Sequence, residues 1–285
     1  MKDQLGMQNN IRAWWEENPM TYDWRNTNPY REGTPEWFAN VDRIFFDRVS
    51  SFFANATGAK PFSKLIPYKH LYGKEVLEIG CGSGAHARLI TEEGARLTAV
   101  DLTEKAIKLT QTRLSLAGLT ADIHQMDARN LSFEDGRFDF VWSWGVINHS
   151  EDTEQIIKEI ARVLRPGGEA RIMVYHRRSI NVLRAIFLGA STGKLFREGL
   201  NRTLAHYSDG LIAKFYTREQ LAGLFQPHFS HVSTKVVGQK NELIPIPGSG
   251  FMGKLKSRVA LAIPEVLAAS ILSRWGGFLF LVAKK

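Results

Sequence analysis

Between residues 75 and 176 the apolar positions fall into two alternating habits. Short apolar runs (Val76–Ile79, Arg96–Val100, about Ala121–Met126, Arg137–Trp142 and Glu169–Tyr175) read as strands, and stretches with helical spacing separate most of them. The helices carry their own punctuation. One opens at Ala85 and closes before Gly94; a second runs from Glu104 to Ala117, with Thr103 as its cap and Gly118 as its stop. Asp152 with Gln155, and later Thr217 with Gln220, have the spacing of capping boxes, and Arg165-Pro166-Gly167-Gly168 is a sharp turn. Strands alternating with helices predict an α/β, doubly wound, mostly parallel sheet with helices on both faces.

The flanks break this rhythm. From Pro35 to about Asn55, Trp37, Val41, Ile44, Phe45, Arg48 and Phe52 recur at helical spacing and predict one helix packed on the core. The piece before it, WWEENPMTYDW, is too aromatic for a disordered tail and reads as a cap closing over a ligand, with Tyr22 reaching inside. Four regions follow: an aromatic helical cap (1–60), a ligand-binding core (61–176), a helical insertion (177–216), and the rest of the core (217–285) with a second insertion at 239–275. The two insertions and the cap are expected to form a lid over an acceptor pocket.

The chemistry concentrates where the first strand ends. EVLEIGCGSGAHA runs from a strand straight into Gly80, Gly82 and Gly84 and then a helix, the first turn of a nucleotide-binding unit. A Cβ in such a turn would keep the backbone away from a ligand. Gly80-x-Gly82-x-x-Ala85 also satisfies the loose dinucleotide pattern, so NAD and FAD enter the comparison. Glu78 argues against them, because a carboxylate two residues before the first glycine repels a pyrophosphate and suits a cationic ligand without phosphate. Asp101, at the tip of the second strand, can accept two hydrogen bonds from a ribose diol.

Composition narrows the rest. The chain has 285 residues, 44% of them hydrophobic, enough to bury a full core as one domain with insertions. Its single cysteine, Cys81, excludes an internal disulfide and suits a reducing, cytoplasmic setting. Met1–Asn10 is polar, unlike a signal peptide, and the most apolar run, Val259–Val282, is too interrupted to span a membrane. The net charge of +8 is lopsided: residues 1–170 hold 20 basic and 24 acidic residues, residues 171–285 hold 17 and 5. That basic excess directs attention to an acidic substrate, an anionic surface or a nucleic acid, or else to a merely solvated face.

VLEIGCGSG, then Asp101, Asp127-Ala128, FDFVWSW and LRPGG, in this order, resemble class I S-adenosylmethionine-dependent methyltransferases. Within that class the resemblance is to the type 11 branch that includes the ubiquinone/menaquinone-biosynthesis enzymes, and it covers about residues 70–176. It implies a seven-stranded Rossmann-like sheet whose last strand is antiparallel, for which His228–Val237 and Gly277–Ala283 are the remaining candidates. It also implies S-adenosylmethionine as cofactor, S-adenosylhomocysteine as product and a small-molecule acceptor. The implied cofactor set is Glu78, Gly80, Cys81, Gly82, Gly84, Asp101, Leu102, Asp127, Ala128 and Trp144. Of these, Glu78 and the glycines would lie near the methionine end, Asp101 on the ribose, Asp127 and the Ala128 amide on the adenine, and Trp144 near the methyl group.

For the transfer itself His149, in the loop after the fourth strand, is the candidate base, with Tyr22 second and Tyr175, His176, His206 and Tyr207 behind. WSWGVINH lacks the Asp/Asn-Pro-Pro-aromatic tetrad of enzymes that grip a flipped base, so no nucleic-acid partner is expected. No Cys/His spacing suits a metal, and Glu151 with Asp152 is explained by helix capping. The aromatic cap and apolar insertions favour a hydrophobic, aromatic, prenylated or lipid-like acceptor; the alternative is a protein that binds the cofactor without turnover or works at a membrane surface. In the C-terminal insertion, Gly248–Trp275, basic residues precede an apolar face, which suits a peripheral membrane helix or the roof of the pocket. Pro264, by breaking the segment, favours the roof.

Overall fold

A computed structural model of the chain describes residues 2–21, 28–49, 51–56, 58–244, 255–256, 258–260 and 262–285. In chain order the helices are α1 (Lys2–Glu17), α2 (Pro35–Asp42), α3 (Ser51–Ala54), α4 (Ala85–Thr91), α5 (Glu104–Leu116), α6 (Thr153–Val163), α7 (Ile180–Ser191), α8 (Lys194–His206), α9 (Arg218–Phe225) and α10 (Glu265–Trp275). The strands are β1 (Glu75–Ile79), β2 (Arg96–Asp101), β3 (Asp122–Gln125), β4 (Phe138–Trp144), β5 (Leu164–His176), β6 (Phe215–Tyr216), β7 (His231–Val237) and β8 (Phe278–Lys284).

The main sheet runs in the order β3-β2-β1-β4-β5-β8-β7. β1 to β5 are parallel, β8 is antiparallel to both neighbours, and the two-residue β6 adds beside the end of β5. The alternation of strand and helix therefore gives the doubly wound sheet expected of it, with an eighth short strand. The order reverses between β1 and β4, so their carboxyl ends splay apart and open a crevice, the standard ligand position in such sheets. Leu77, Ile79, Val141 and Ile172 pack on the face covered by α6 and α9; Val76, Leu97, Phe140 and Trp142 pack on the other.

Local chemistry explains the element ends. Thr103 accepts from the Ala106 amide and caps α5, and Thr217 with Gln220 forms both halves of a capping box on α9. Asp152 caps α6 through the Gln155 amide, but the Gln155 side chain donates to the Arg129 carbonyl at 3.2 Å, so this box is half formed. The turn at Arg165–Gly168 lies within β5: Phe138 pairs with Leu164, the ladder skips, and Phe140 resumes with Glu169.

The helix expected from Pro35 to Asn55 is instead three pieces: α2, a π-helical stretch Arg43–Val49, and α3. Phe45 and Phe46 are buried in the π-helical stretch, as the adjacent pair Trp37 and Phe38 is in α2. Much of the expected roof (245–254, 257 and 261) lies outside the described residues. Among the described residues of 239–275 only Gln239 reaches the central cavity. α10 lies along the edge strand β7, burying Ala268 and Leu272 while Val266 is 84% exposed. The apolar residues of α10 are thus divided between the outer flank of the sheet and solvent. No helix among the described residues is long and apolar enough to cross a membrane.

Candidate functional site

One cavity opens at the carboxyl ends of β1, β2 and β4, and its floor is the glycine turn. The Gly80 amide donates to the Val100 carbonyl at 2.7 Å, and the Gly82 amide to Asp101 Oδ2 at 3.1 Å, so the turn is tied to the tip of β2. Gly82 has φ +54° and nothing within 4 Å of where a Cβ would stand, so that space is the cavity itself. A Cβ on Gly84, by contrast, would press on the Thr110 backbone at 3.0 Å; this glycine serves the packing of α4 on α5.

Of the residues singled out from the sequence, Gly80, Cys81, Gly82, Asp101, Leu102, Asp127, Ala128, Trp144 and His149 line the cavity. Glu78 and Gly84 are not among its walls. Side chains alternate along a strand, so Glu78 points with Val76 into the layer beneath the turn, where burial and nearby Asp101 hold its carboxyl well above the usual range and Arg113 opposes them. Cys81 is buried and its thiol is pushed up by that burial, which makes it a spacer and not a nucleophile. Tyr22 lies outside the described residues. Of the lesser candidates only Tyr175 faces the cavity; buried His176 is bonded to the Gly276 carbonyl, and His206 pairs with Glu198 at the surface.

Asp101 is held from three sides. Besides the Gly82 amide, Oδ1 accepts from the Thr103 amide at 3.0 Å and its hydroxyl at 2.8 Å, leaving lone pairs for a ligand. Burial raises its pKa and these bonds oppose the rise. Asp127 is more fully engaged, by the Arg129 guanidinium at 2.8 Å and by Gln8 of α1 at 3.1 Å. Among the described residues the cavity walls carry three aspartates (Asp101, Asp127 and Asp209) and no lysine or arginine. A cavity of that charge fits a cationic cofactor that has a ribose and no phosphate.

α1 closes one side, as the cap expected of the N-terminal segment, but its anchor on α5 was not foreseen. Gln8, Ile11 and Trp15 face inward, and both Glu16 carboxylate oxygens accept 2.9 Å bonds from the Glu104 and Lys105 amides at the start of α5. The signal was present only as an acidic residue without a local partner.

His149 lines the same cavity, 4% exposed, with Trp15 at 5.1 Å and Tyr175 at 5.4 Å between ring centroids, both edge-on. Its Nδ1 is 2.7 Å from the Ile212 carbonyl. A carbonyl only accepts, so Nδ1 carries the proton and Nε2 is a bare lone pair, with no partner among the described residues. Burial lowers its pKa to about 4, so the ring is neutral at pH 7. The Ile212 carbonyl comes from the insertion, which is stitched to the loop after β4 by the Lys214 amide bonding to the Asn148 carbonyl at 2.8 Å.

Gly210 makes that approach feasible. With φ +82°, it leaves a gap in which a Cβ would lie 2.7 Å from His149 Nδ1 and 3.0 Å from Trp15. Gly210→Val is therefore expected to dislodge the ring from Ile212 and admit water. The His149 titration, followed by NMR of the ring nitrogens, should then move up from about 4 toward the ordinary histidine range; an unmoved titration and tautomer would refute the packing argument.

Comparison with known proteins agrees with this geometry. The profile of a family described as a methyltransferase domain matches residues 77–172, the stretch from β1 through the middle of β5. The ubiquinone biosynthesis O-methyltransferase of Ralstonia nicotianae is 27% identical over 176 residues, 59% of this chain and 70% of that protein. The protein of the same name from Aromatoleum aromaticum is 33% identical over 162 residues, 54% of this chain and 66% of that one. This chain belongs to the class I S-adenosylmethionine-dependent methyltransferases. Among solved structures, the PH0226 protein of Pyrococcus horikoshii OT3 aligns with a TM-score of 0.53 at 16% identity, covering 92% of this chain and 97% of that one. That likeness is one of fold, and its alignment runs over nearly the whole chain.

Proposed function

We propose that this methyltransferase moves a methyl group from S-adenosylmethionine to a hydroxyl oxygen of a small, largely apolar acceptor, with His149 Nε2 as the base. The observation that carries the reading is the fixed tautomer of His149, a neutral imidazole with an unpartnered Nε2 on a residue that lines the same cavity as the glycine turn. Bound S-adenosylmethionine supplies an electrophilic methyl on a cationic sulfur.

The chain's own residues do the rest. The open face of Gly82 and the Asp101 carboxylate would hold the amino-acid and ribose parts, and Leu102, Asp127 and the Ala128 amide the adenine, with Gly80, Cys81 and Trp144 walling the site. Ile11, Trp15, Pro19, Met20, Trp144 and Phe278 make the remaining space apolar, excluding water and aligning the acceptor for in-line attack. As the oxygen–carbon bond forms and the carbon–sulfur bond breaks, the hydroxyl proton becomes strongly acidic. A weakly basic imidazole is then sufficient to take it, and the Ile212 carbonyl supports the imidazolium that results. The named relatives, O-methyltransferases of ubiquinone biosynthesis, support oxygen as the methylated atom and a prenylated or aromatic acceptor.

Incubation with methyl-labelled cofactor and a panel of apolar phenols and alcohols tests the reading. Label in an ether product, dependent on His149, is expected. Tight S-adenosylhomocysteine binding with no transfer to any member would favour a protein that holds the cofactor without turnover.

A further inference from the structure

The acceptor half of the cavity contains a polar pair, one member of which, Asp209, sequence reasoning left aside. Asp209, in the loop after α8, and Tyr175, at the end of β5, both line the wall beside His149, and the Tyr175 hydroxyl donates to Asp209 Oδ2 at 2.9 Å. The two belong to different parts of the chain and meet only because the insertion folds back over the sheet. Asp209 is followed by the glycine that lies against the Nδ1 edge of His149, and Asp209 and His149 line one cavity. An ionised carboxylate offers about four lone-pair sites, and one tyrosine hydroxyl occupies a single one of them.

We propose that Asp209, oriented by Tyr175, receives a hydrogen-bond donor of the acceptor, so that the acceptor carries a hydroxyl or an ammonium in addition to the group that is methylated, and an anionic group at that position is rejected. This rests on the methyl-transfer reading and specifies its substrate class.

Three observations converge on it. Asp209 is the acidic group on the His149 side of the cavity, away from the glycine turn and the β2 tip, and the described walls hold no cation to neutralise it. A carboxylate in an apolar compartment that is left without such a partner is costly, and a donor on the incoming molecule removes that cost. The basic excess of the C-terminal half, which suggested an acidic substrate, contributes no described side chain to the cavity, so an anionic acceptor would meet repulsion where it needs attraction. Burial raises the Asp209 pKa to about 6, and the Tyr175 bond opposes the rise. The titratable groups around it are Tyr175 from β5 and His149 from the turn after β4; α1 contributes the neutral Trp15.

Four probes with one ring decide the matter: 4-ethylphenol, tyrosol, tyramine and 4-hydroxyphenylacetate, which end in a methyl, a hydroxyl, an ammonium and a carboxylate. Each is titrated by calorimetry into wild type, Asp209→Asn and Tyr175→Phe, all saturated with S-adenosylhomocysteine. Wild type should bind tyrosol or tyramine at least ten-fold more tightly than 4-ethylphenol and should bind 4-hydroxyphenylacetate worst; which of the two leads separates a hydroxyl from an ammonium acceptor. Asp209→Asn should erase the ten-fold preference. In wild type the preference should fade as pH drops through about 6, where the carboxylate takes up a proton, and in Tyr175→Phe the fading should begin at higher pH. Equal affinities in wild type and Asp209→Asn, a preference for the carboxylate probe, or no preference for either donor probe overturns the proposal. Failure of S-adenosylhomocysteine itself to bind would instead overturn the methyl-transfer reading on which it stands.

Discussion

His149→Asn is expected to lower the methyl-transfer rate by roughly 10²-fold or more while cofactor affinity stays unchanged. The ring lines the cavity, and its one unpartnered nitrogen is the buried Nε2. Losing it should therefore cost turnover and not binding. The pH dependence supplies a second check. An ordinary histidine base would lose activity as pH falls through about 6.5. Burial has lowered this one to about 4, so its limb should appear there, with full deprotonation at every higher pH. A wild-type limb near 6 that vanishes in Asp209→Asn would belong to the other wall of the pocket. Single-turnover rates in both variants separate the two; undiminished transfer in His149→Asn would leave alignment and water exclusion as the whole mechanism.

Asp101→Ala should weaken S-adenosylmethionine and S-adenosylhomocysteine binding by roughly 2–4 kcal/mol, the loss of two charge-assisted hydrogen bonds to a ribose. The same carboxylate also accepts from the Gly82 amide and from Thr103, so its removal frees the glycine turn as well as the ligand contact. Gly82→Val separates these effects. There the Asp101 carboxylate is intact, but a branched side chain would fill cavity space at a backbone angle of φ +54° that such residues avoid, and binding should be abolished. Calorimetry on variants that retain a cooperative melt checks both. Unchanged affinity in either would mean that the cofactor sits elsewhere.

The central sheet, the glycine turn and the acidic tip of β2 were legible in the residue order because each depends on neighbours in sequence. A short apolar run becomes a strand, glycines at fixed offsets become a turn, and Thr103 caps the helix that starts at the next residue. Glu78 shows the limit of that logic. Its place next to the turn suggested a wall of the site, but alternation along β1 directs it into the layer below. The segment from Pro35 to about Asn55 was read as one helix; it is helical, but α2 passes into a π-helical stretch, Arg43–Val49, that the spacing did not announce.

What the sequence by itself determined, then, is the doubly wound core and the end of the cavity built on β1 and β2, where every element is set by local pattern and short-range turn chemistry. The tertiary structure alone decided the acceptor end. Trp15, His149, Tyr175 and Asp209 are scattered over nearly two hundred residues, and no spacing between them encodes their meeting. Their encounter depends on α1 anchoring Glu16 to the start of α5, and on the insertion laying Gly210 and the Ile212 carbonyl against an imidazole ring. The protonation states follow from that packing as well, because burial shifts a pKa by removing water, and which groups lose their water is settled only when distant segments close over them.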